Sequence, residues 1–388
     1  MKFLVILPST LRGGVEEYAL TITSAAVKEG WDVYAAFPKT DGTISLIRDF
    51  TEKGVQYHRL EIAEDSRSSQ KSTNHFLRLT RTFALLFRLK PDIVQILLPW
   101  PDVCLSSILV CGLLRIPTVV RFGLVPNRFS FSGRTLKAYA WARARNQQWI
   151  AVSENNRQFI CKSFDIPYQE VLCIYNGTQV MPDSNTDNNH EHQTTLRYQL
   201  CRELGVPETS RLALTVGRLE PQKGYSDLIA AIPHIVREFS DVRFVWVGNG
   251  EQRDYLVNKV REYIVEDKVL LLGYRSDVPR LLKSADIFVF PTHYEGHPNA
   301  LNEAMAHSLP IVTSNASGIS ELISNKVHGL LFRAGDSCDL LESIRWALRH
   351  PDEMQEMARN ARLRIQDFSK ERMIKETLEV FQRLSCRD

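Results

Sequence analysis

Short apolar runs alternate along this chain with longer segments whose apolar residues recur every three or four positions. The runs of the first half are Phe3–Pro8, Asp32–Phe37, Ile93–Leu97, Thr118–Phe122 and Trp149–Val152. Those of the second half are Leu212–Val216, Arg243–Val247, Val269–Leu272, Ile287–Phe290, Ile311–Thr313 and Leu330–Phe332. Strand-like runs alternating with amphipathic helical segments predict βαβ units and parallel sheets. Between the halves, Asp183 to Thr195 is polar and has no apolar periodicity, which predicts a mobile connector. The tail from Pro351 reads as helix, with Met354, Met357, Ala358 and Ala361 at helical spacing. A break at Asp367-Phe-Ser369 precedes a last helix, Lys370 to Leu384, for which Ser369 is a good N-cap. The predicted division is an N-terminal domain at 1–182, a connector at 183–197, a second domain at 198–366 and a C-terminal helix at 367–388. Two sheets flanking a flexible connector imply a cleft between the domains.

The length agrees with two domains, since single cores stop growing at roughly 250–300 residues and this chain has 388. Apolar content of 44% and charged content of 24% are those of a globular protein. A net charge of +3 does not indicate a nucleic-acid partner, while a modest affinity for an anionic membrane surface stays open. Seven scattered cysteines without a Cys-x-x-Cys read as reduced thiols, mostly core fillers. The apolar start Met1 to Leu7 is too short for a signal peptide and ends at Pro8, so it reads as a buried strand. Val103 to Leu114 falls short of the roughly 20 residues that span a bilayer. The expected location is cytoplasmic, with peripheral contact at the inner membrane face left open.

The densest chemistry lies in Glu295-Gly-His-Pro-Asn-Ala-Leu-Asn-Glu303. Here a strand ends at Pro291, Gly296 and Pro298 shape a turn, and a helix begins at Asn299. The first-turn N–H groups of that helix, near Asn299, Ala300 and Leu301, form an anion site. A phosphate there, flanked by Glu295 and Glu303 as acceptors for hydroxyl groups, suits a sugar nucleotide. A buried strand-loop-helix with two incidental glutamates is the plainer reading of the same spacing. The Glu-x7-Glu pattern followed by Ala304-Met305-Ala306 resembles the signature of retaining GT-B glycosyltransferases of family 4. The resemblance implies two Rossmann-like parallel-sheet domains facing each other across a cleft.

Further segments carry the same resemblance. Val216-Gly217-Arg218 followed by Lys223-Gly224 sets two cations five positions apart after a strand, either a diphosphate clamp or a pair of solvated surface charges. Gly-Arg-x4-Lys-Gly resembles the family's phosphate-binding motif and implies that Arg218 and Lys223 neutralise the leaving diphosphate. Gly13-Gly14 after the first strand permits close backbone approach to a ligand, or marks a tight turn. It resembles the loop that nears the diphosphate and transferred sugar. Gly248 lies in a Gly-x-Gly turn, and Tyr274, a candidate for the nucleobase, serves equally well as a packing residue. Ser317-Gly-Ile-Ser-Glu321 resembles the family's Gly-Gly-Ile-Pro-Glu loop with two replacements.

Together these imply an EC 2.4 hexosyltransferase-type enzyme that holds its nucleotide-sugar donor in the second domain. Its donor site comprises Gly13, Gly14, Gly217, Arg218, Lys223, Gly248, Tyr274, Glu295, Gly296, His297, Asn299, Ala300, Leu301 and Glu303, with Glu295, Arg218 and Lys223 as catalytic residues. Glu303 is expected to accept from the ribose and Glu295 from the transferred sugar. Asp-x-Asp is absent and no His/Cys/Asp/Glu cluster has zinc-like spacing, so no cofactor and no metal are expected. The expected acceptor is a glycan or lipid-linked glycan. Leu77–Lys90 and the stretch with Arg128, Arg134, Lys137, Trp141, Arg143 and Arg145 read as amphipathic helices that touch lipid headgroups or as core-packed helices with a basic outer face.

One departure stands out: Phe122 occupies the position where the family commonly has a histidine near the transferred sugar. Arg121 replacing it, a shifted register, or a less polar donor such as a 6-deoxy sugar are the alternatives. Rival functions are a GT-B epimerase or phosphorylase, and a non-catalytic sugar-nucleotide-binding scaffold.

Overall fold

The computed structural model describes residues 1–62, 71–127, 129–180 and 187–386. In the first half the strands are β1 (Lys2–Ile6), β2 (Asp32–Phe37), β3 (Gln56–Arg59), β4 (Ile93–Leu98), β5 (Thr118–Phe122), β6 (Gln147–Ala151) and β7 (Val171–Cys173). They form a parallel sheet in the order β3-β2-β1-β4-β5-β6-β7. In the second half β8 (Arg211–Val216), β9 (Val242–Val247), β10 (Val269–Gly273), β11 (Ile287–Phe290), β12 (Ile311–Ser314) and β13 (Leu330–Phe332) form another, in the order β10-β9-β8-β11-β12-β13. Both orders reverse next to the strand that begins each half, at β1/β4 and at β8/β11. The crevice beyond the carboxyl ends of the strands at such a switch point is where open α/β sheets bind ligands.

The chain divides into two compact units, Met1–Asn176 with Glu371–Asp388, and Gly177–Lys370. In the first unit β4 is buried along its whole length, as a parallel strand covered on both faces must be. Helices Lys71–Leu89, Leu105–Leu114, Gly133–Arg143 and Glu154–Phe164 cover one face of this sheet. Helix Gly14–Lys28 and the C-terminal helix Lys370–Ser385 cover the other, with the Phe3 and Phe381 rings 4.9 Å apart. The C-terminal helix therefore packs on the first unit. In the second unit Trp246, Phe244 and Val289 of the sheet pack with Leu228 and Ile232 of helix Tyr225–Glu238 and Ile344 of helix Ser337–Arg349. Thr178 and Ser369 form a parallel bridge there, which places 177–180 with the second unit.

Three expectations need correction. The polar stretch taken as a connector is helical from Asp187, in helix Asp187–Leu204, while 183–186 lie outside the described residues, as do the side chains of His190 and His192. Leu200 and Cys201 are buried, and Arg197 donates to the carbonyls of Ser284 (2.7 Å) and Ser210. No proline or glycine interrupts 187–204, so the anchored turn extends upstream through residues that have no apolar periodicity of their own. Strands β3 and β7 are absent from the apolar pattern.

Phe122, third, is no sugar neighbour. It is fully buried, its ring 5.0 Å from Trp149 and 5.4 Å from Phe164. Arg121, on the opposite side of β5, is 2% exposed. Its guanidinium stacks 3.7 Å from the Tyr18 ring centroid and donates to Asn176. Burial holds its pKa below the ordinary guanidinium value. The case for a 6-deoxy donor thus loses the observation behind it. All seven cysteines are free, and burial pushes the Cys111 thiol up to about 12. Among the described residues no helix is long and apolar enough to cross a membrane.

Candidate active site

In the second unit, the loops at the carboxyl ends of β8, β9, β10, β11 and β12 hold most of the residues singled out by sequence. After β8, Gly217 leads into a tight turn, Pro221–Lys223, that ends at Gly224. Gly224 has φ +68°, and an added Cβ would lie 1.8 Å from the Pro291 carbonyl oxygen. Glycine there lets the β8 and β11 loops touch, backbone against backbone. Gly248 has φ +138° and faces the Gly217 carbonyl, where a Cβ would come within 2.0 Å. Its N–H donates to the Gly273 carbonyl at 2.8 Å, so the β8, β9 and β10 loops are tied into one rim.

Contact between the β8 and β11 loops delivers the central pair. Lys223 Nζ donates to Glu295 Oε1 at 2.5 Å, with side-chain exposures of 14% and 8%. Thr292 Oγ1 donates to the same oxygen at 2.8 Å. The Glu295 N–H donates to the Ser317 carbonyl at 3.1 Å, anchoring the loop to the one after β12. No described residue donates to Glu295 Oε2. One carboxylate oxygen is therefore held in place while the other keeps its full accepting capacity. Lys223 Nζ also stands 5.4 Å over the Phe290 ring.

The remaining candidates spread around this pair. Arg218 is half-exposed and turns to Glu220 at 2.9 Å rather than to Glu295. Tyr274 is 57% exposed beyond Gly273. Gly296 is buried, and its carbonyl oxygen is 2.5 Å from where a Cβ on Gly318 would sit. His297 is buried against Phe368, ring centroids 5.3 Å apart, with Nδ1 3.2 Å from Asn302. Pro298 caps helix Asn299–Ala306 in an extended conformation, and the first intrahelical N–H bond runs from Asn302 to the Pro298 carbonyl at 3.2 Å. The N–H groups of Asn299, Ala300 and Leu301 precede it and have no intrahelical acceptor. Glu303 is half-buried one turn further on. Gly13 and Gly14 belong to the first unit, where Gly13 is the extended N-cap of helix Gly14–Lys28. Neither has a left-handed φ, so their backbone angles alone do not require glycine.

Sequence reading missed three participants. Thr292 orients Glu295, and Gln222 donates to the Tyr294 carbonyl at 2.7 Å, bracing the same loop. Asp227 lies 2.7 Å from His293 Nε2, a hydrogen bond that raises the His293 pKa. A polar residue just past the carboxyl end of a parallel strand was the available signal for Thr292.

Comparison with known proteins identifies the family and the fold. The family described as Glycosyl transferases group 1 matches residues 199–364, and Glycosyltransferase Family 4 matches residues 12–180. A UDP-Gal:alpha-D-GlcNAc-diphosphoundecaprenol alpha-1,3-galactosyltransferase of Escherichia coli is 34% identical over 198 residues, 50% of this chain and 49% of the relative. A glycogen synthase of Mycobacterium tuberculosis is 34% identical over 43% of this chain and 41% of its own length. The chain spans about half the length of the curated relatives it matches. Among solved structures, a glycosyltransferase from Rickettsia africae superposes with a TM-score of 0.80 at 17% identity, covering 100% and 99% of the two chains. HepE of Anabaena in complex with UDP-glucose gives 0.77 at 20% identity, covering 98% and 100%. With two parallel-sheet units and both family matches, together spanning most of its length, the chain belongs to the family 4 glycosyltransferases (glycosyl transferases group 1) and has the GT-B fold.

Proposed function

We propose that this chain is a retaining glycosyltransferase that moves a hexose-type sugar from a nucleotide-sugar donor to a hydroxyl of a glycan or lipid-linked glycan, in the synthesis of a cell-surface polysaccharide or lipopolysaccharide. The observation that carries the reading is the Lys223–Glu295 pair, set at the β8/β11 switch point beside the helix start at Asn299. The lysine brings positive charge to where a diphosphate departs, and its bond to Glu295 Oε1 orients the carboxylate so that Oε2 accepts from a sugar hydroxyl. Arg218, solvent-facing beside Glu220, exchanges that partner for phosphate. The first-turn N–H groups at Asn299–Leu301 add a partial positive charge aimed at the same anion. Glu303 accepts from the ribose, and Tyr274, exposed past β10, covers the nucleobase.

Catalysis then rests on positioning and on charge stabilisation of the leaving group, with the diphosphate itself assisting attack from the same face. Two cations and a helix terminus supply this charge without a metal. The relative that acts on GlcNAc-diphosphoundecaprenol supports a lipid-linked acceptor, and with it work at the cytoplasmic face of a membrane. The scaffold alternative drew its weight from Phe122, which is a core residue.

The test is a thermal-shift panel of UDP-, GDP- and ADP-sugars on wild type and Glu303→Ala, followed by a nucleotide-release assay with and without EDTA. Binding to the native state raises the melting temperature with ligand concentration. One nucleotide class stabilising wild type but not the variant, with chelator-insensitive release in the presence of a glycan acceptor, is the expected result. Stabilisation without turnover on any acceptor supports the scaffold, and no stabilisation by any sugar nucleotide overturns the donor reading.

A further inference from the structure

Residues 71–150 carry twelve Lys/Arg against two Asp/Glu, a net of +10 within a chain whose total is +3. Arg121 of this count is buried on the other side of the sheet against Tyr18, and Arg143 pairs with Glu170, but Arg78, Arg81, Arg88, Arg134 and Lys137 stand on helices of one layer of the first unit. Helices Lys71–Leu89, Leu105–Leu114 and Gly133–Arg143 pack side by side over the same sheet face. Their inner sides are spent on the core: Leu85, Leu86 and Leu89 from the first, Ile108 and Cys111 from the second, Tyr139 and Ala142 from the third.

The outer side is unusual. Phe76 (69% exposed), Phe83 (40%) and Phe87 (66%) lie at positions i, i+7 and i+11 of one helix and so share a stripe. The rings of Phe83 and Phe87 stack 6.1 Å apart, with Leu77 exposed beside them. The neighbouring helices add exposed Leu113 and Trp141, the latter under the Arg145 guanidinium at 3.9 Å. Helix Lys71–Leu89 contains no carboxylate at all. Among the described residues, its exposed Arg81 and Arg88 reach the Glu61 carbonyl and His58 Nδ1 and no carboxylate. Of the two acids in the stretch, Asp92 accepts from the Lys2 backbone N–H. Arg128 lies outside the described residues.

We propose that the outer face of helix Lys71–Leu89, continued by Leu113 and Trp141 of the helices beside it, docks on a bilayer surface rich in anionic phospholipid. Phenylalanines beside arginines with no acid among them match the two layers of such a surface. The rings enter the boundary of the acyl chains, and the guanidinium groups stay with the phosphates. A charge excess concentrated in one layer, and offset by net negative charge in the rest of the chain, orients that layer towards the membrane at long range. The proposal deepens the membrane part of the function proposed above. It stands on the first unit's own surface, and its readout needs neither donor nor turnover.

The experiment is co-sedimentation of the full chain with vesicles of phosphatidylglycerol and phosphatidylcholine, and with phosphatidylcholine alone. The variants are Phe76→Ser/Phe87→Ser and Arg81→Gln/Arg88→Gln. Both pairs are exposed, so melting temperatures and the donor-induced shift are expected to match wild type. Wild type is expected to sediment with the anionic vesicles and not with the neutral ones. Raising the salt from about 0.1 M to about 1 M, which shortens the Debye length from about 10 Å to about 3 Å, should release it. Each double variant should partition about tenfold more weakly. No binding to anionic vesicles, or unchanged binding of the phenylalanine variant, overturns the proposal. Wild type running as a dimer that the phenylalanine variant dissociates overturns it as well, because a second copy would then cover the face. Vesicle binding lost in the variants with the donor shift intact supports it, whatever the fate of the catalytic assignment.

Discussion

Lys223 Nζ and Glu295 Oε1 stand 2.5 Å apart although 72 positions separate the two residues in the chain. The β8 turn supplies one and the β11 loop the other, and the glycine at 224 permits the approach. Both side chains are nearly closed to solvent, so the ion pair is not a loose surface contact. A cation poised over a departing diphosphate is expected to act chiefly in the transition state, where charge develops.

Glu295→Gln keeps the shape and removes the charge, and Lys223→Ala removes the cation. Each is expected to lower kcat by about 10²–10³. Residues that act as a unit do not give independent losses, so the double variant should fall little below the worse single one. Steady-state kinetics of the four proteins checks this. A double variant whose loss is the product of the two singles would show that the residues work separately. Breaking the pair from one side also leaves a buried charge alone, at a cost of about 3 kcal/mol in stability, read from denaturant midpoints.

Gly224→Ala is expected to damage the second unit more than any loop substitution of comparable size. The new methyl group would have to occupy space 1.8 Å from the Pro291 carbonyl oxygen, at a left-handed φ of +68°. Gly248→Ala faces the same difficulty against the Gly217 carbonyl. Both should cost about 2 kcal/mol or more and abolish donor-induced stabilisation, because Gly224→Ala parts the loops carrying Lys223 and Glu295 and Gly248→Ala parts the β9 loop from the β8 loop that carries Arg218 and Lys223. Gly205→Ala is the control. It has φ +66° but nothing within 4 Å of the added atom, so it should show the backbone strain alone. Equal melting temperatures for Gly205→Ala and Gly224→Ala would rule out the close approach as the cause.

Phe122 separates a family-based expectation from a packing one. Its ring sits among Trp149, Phe164 and the rest of the first unit's core. Phe122→Ala is expected to cost about 3–5 kcal/mol by denaturant unfolding. Phe122→His, which restores the commoner residue of the family, should also destabilise, since it buries a polar ring without a partner. Neither should change preference between a hexose donor and its 6-deoxy analogue. A donor preference that moves with residue 122 would return this position to the sugar site.

How much of this was readable in advance follows the physics of each segment. Strands β1, β4, β8 and β11 are buried on both faces and announce themselves as apolar runs. The two strands left out, β3 with Gln-Tyr-His-Arg and β7 with three residues, lie at the sheet's two edges, where burial imposes little pattern. The helix from Asp187 begins in residues without periodicity because its anchors, Arg197, Leu200 and Cys201, come later. Glu295, Lys223 and the glycines were legible as motif residues. Their meeting was not, since linear spacing carries no information about which carboxyl-end loops adjoin at a switch point. Phe122 misled because the motif register says which residue stands on a strand, not which way its side chain turns.

Two histidines of the second unit should pull its stability in opposite directions with pH. The hydrogen bond that His293 Nε2 donates to Asp227 raises the His293 pKa above the ordinary value of about 6.5. The pair therefore stabilises the fold fully below about pH 6.5 while the aspartate is ionised, and loses this contribution as pH rises through the folded-state value. Burial lowers the His307 pKa, with Lys283 and Arg362 pushing the same way. As pH falls through about 6.5 the unfolded chain takes up a proton that folded His307 refuses, so stability is lost on the acid side. Melting temperatures of wild type, Asp227→Asn and His307→Gln between about pH 5 and pH 8 separate the two. The advantage of wild type over Asp227→Asn should be largest near the acid end of that range and shrink upwards, whereas its advantage over His307→Gln should shrink downwards. Profiles that run parallel for all three proteins would remove both assignments, and the imidazole resonances of His293 and His307, followed by NMR, give the two titrations directly.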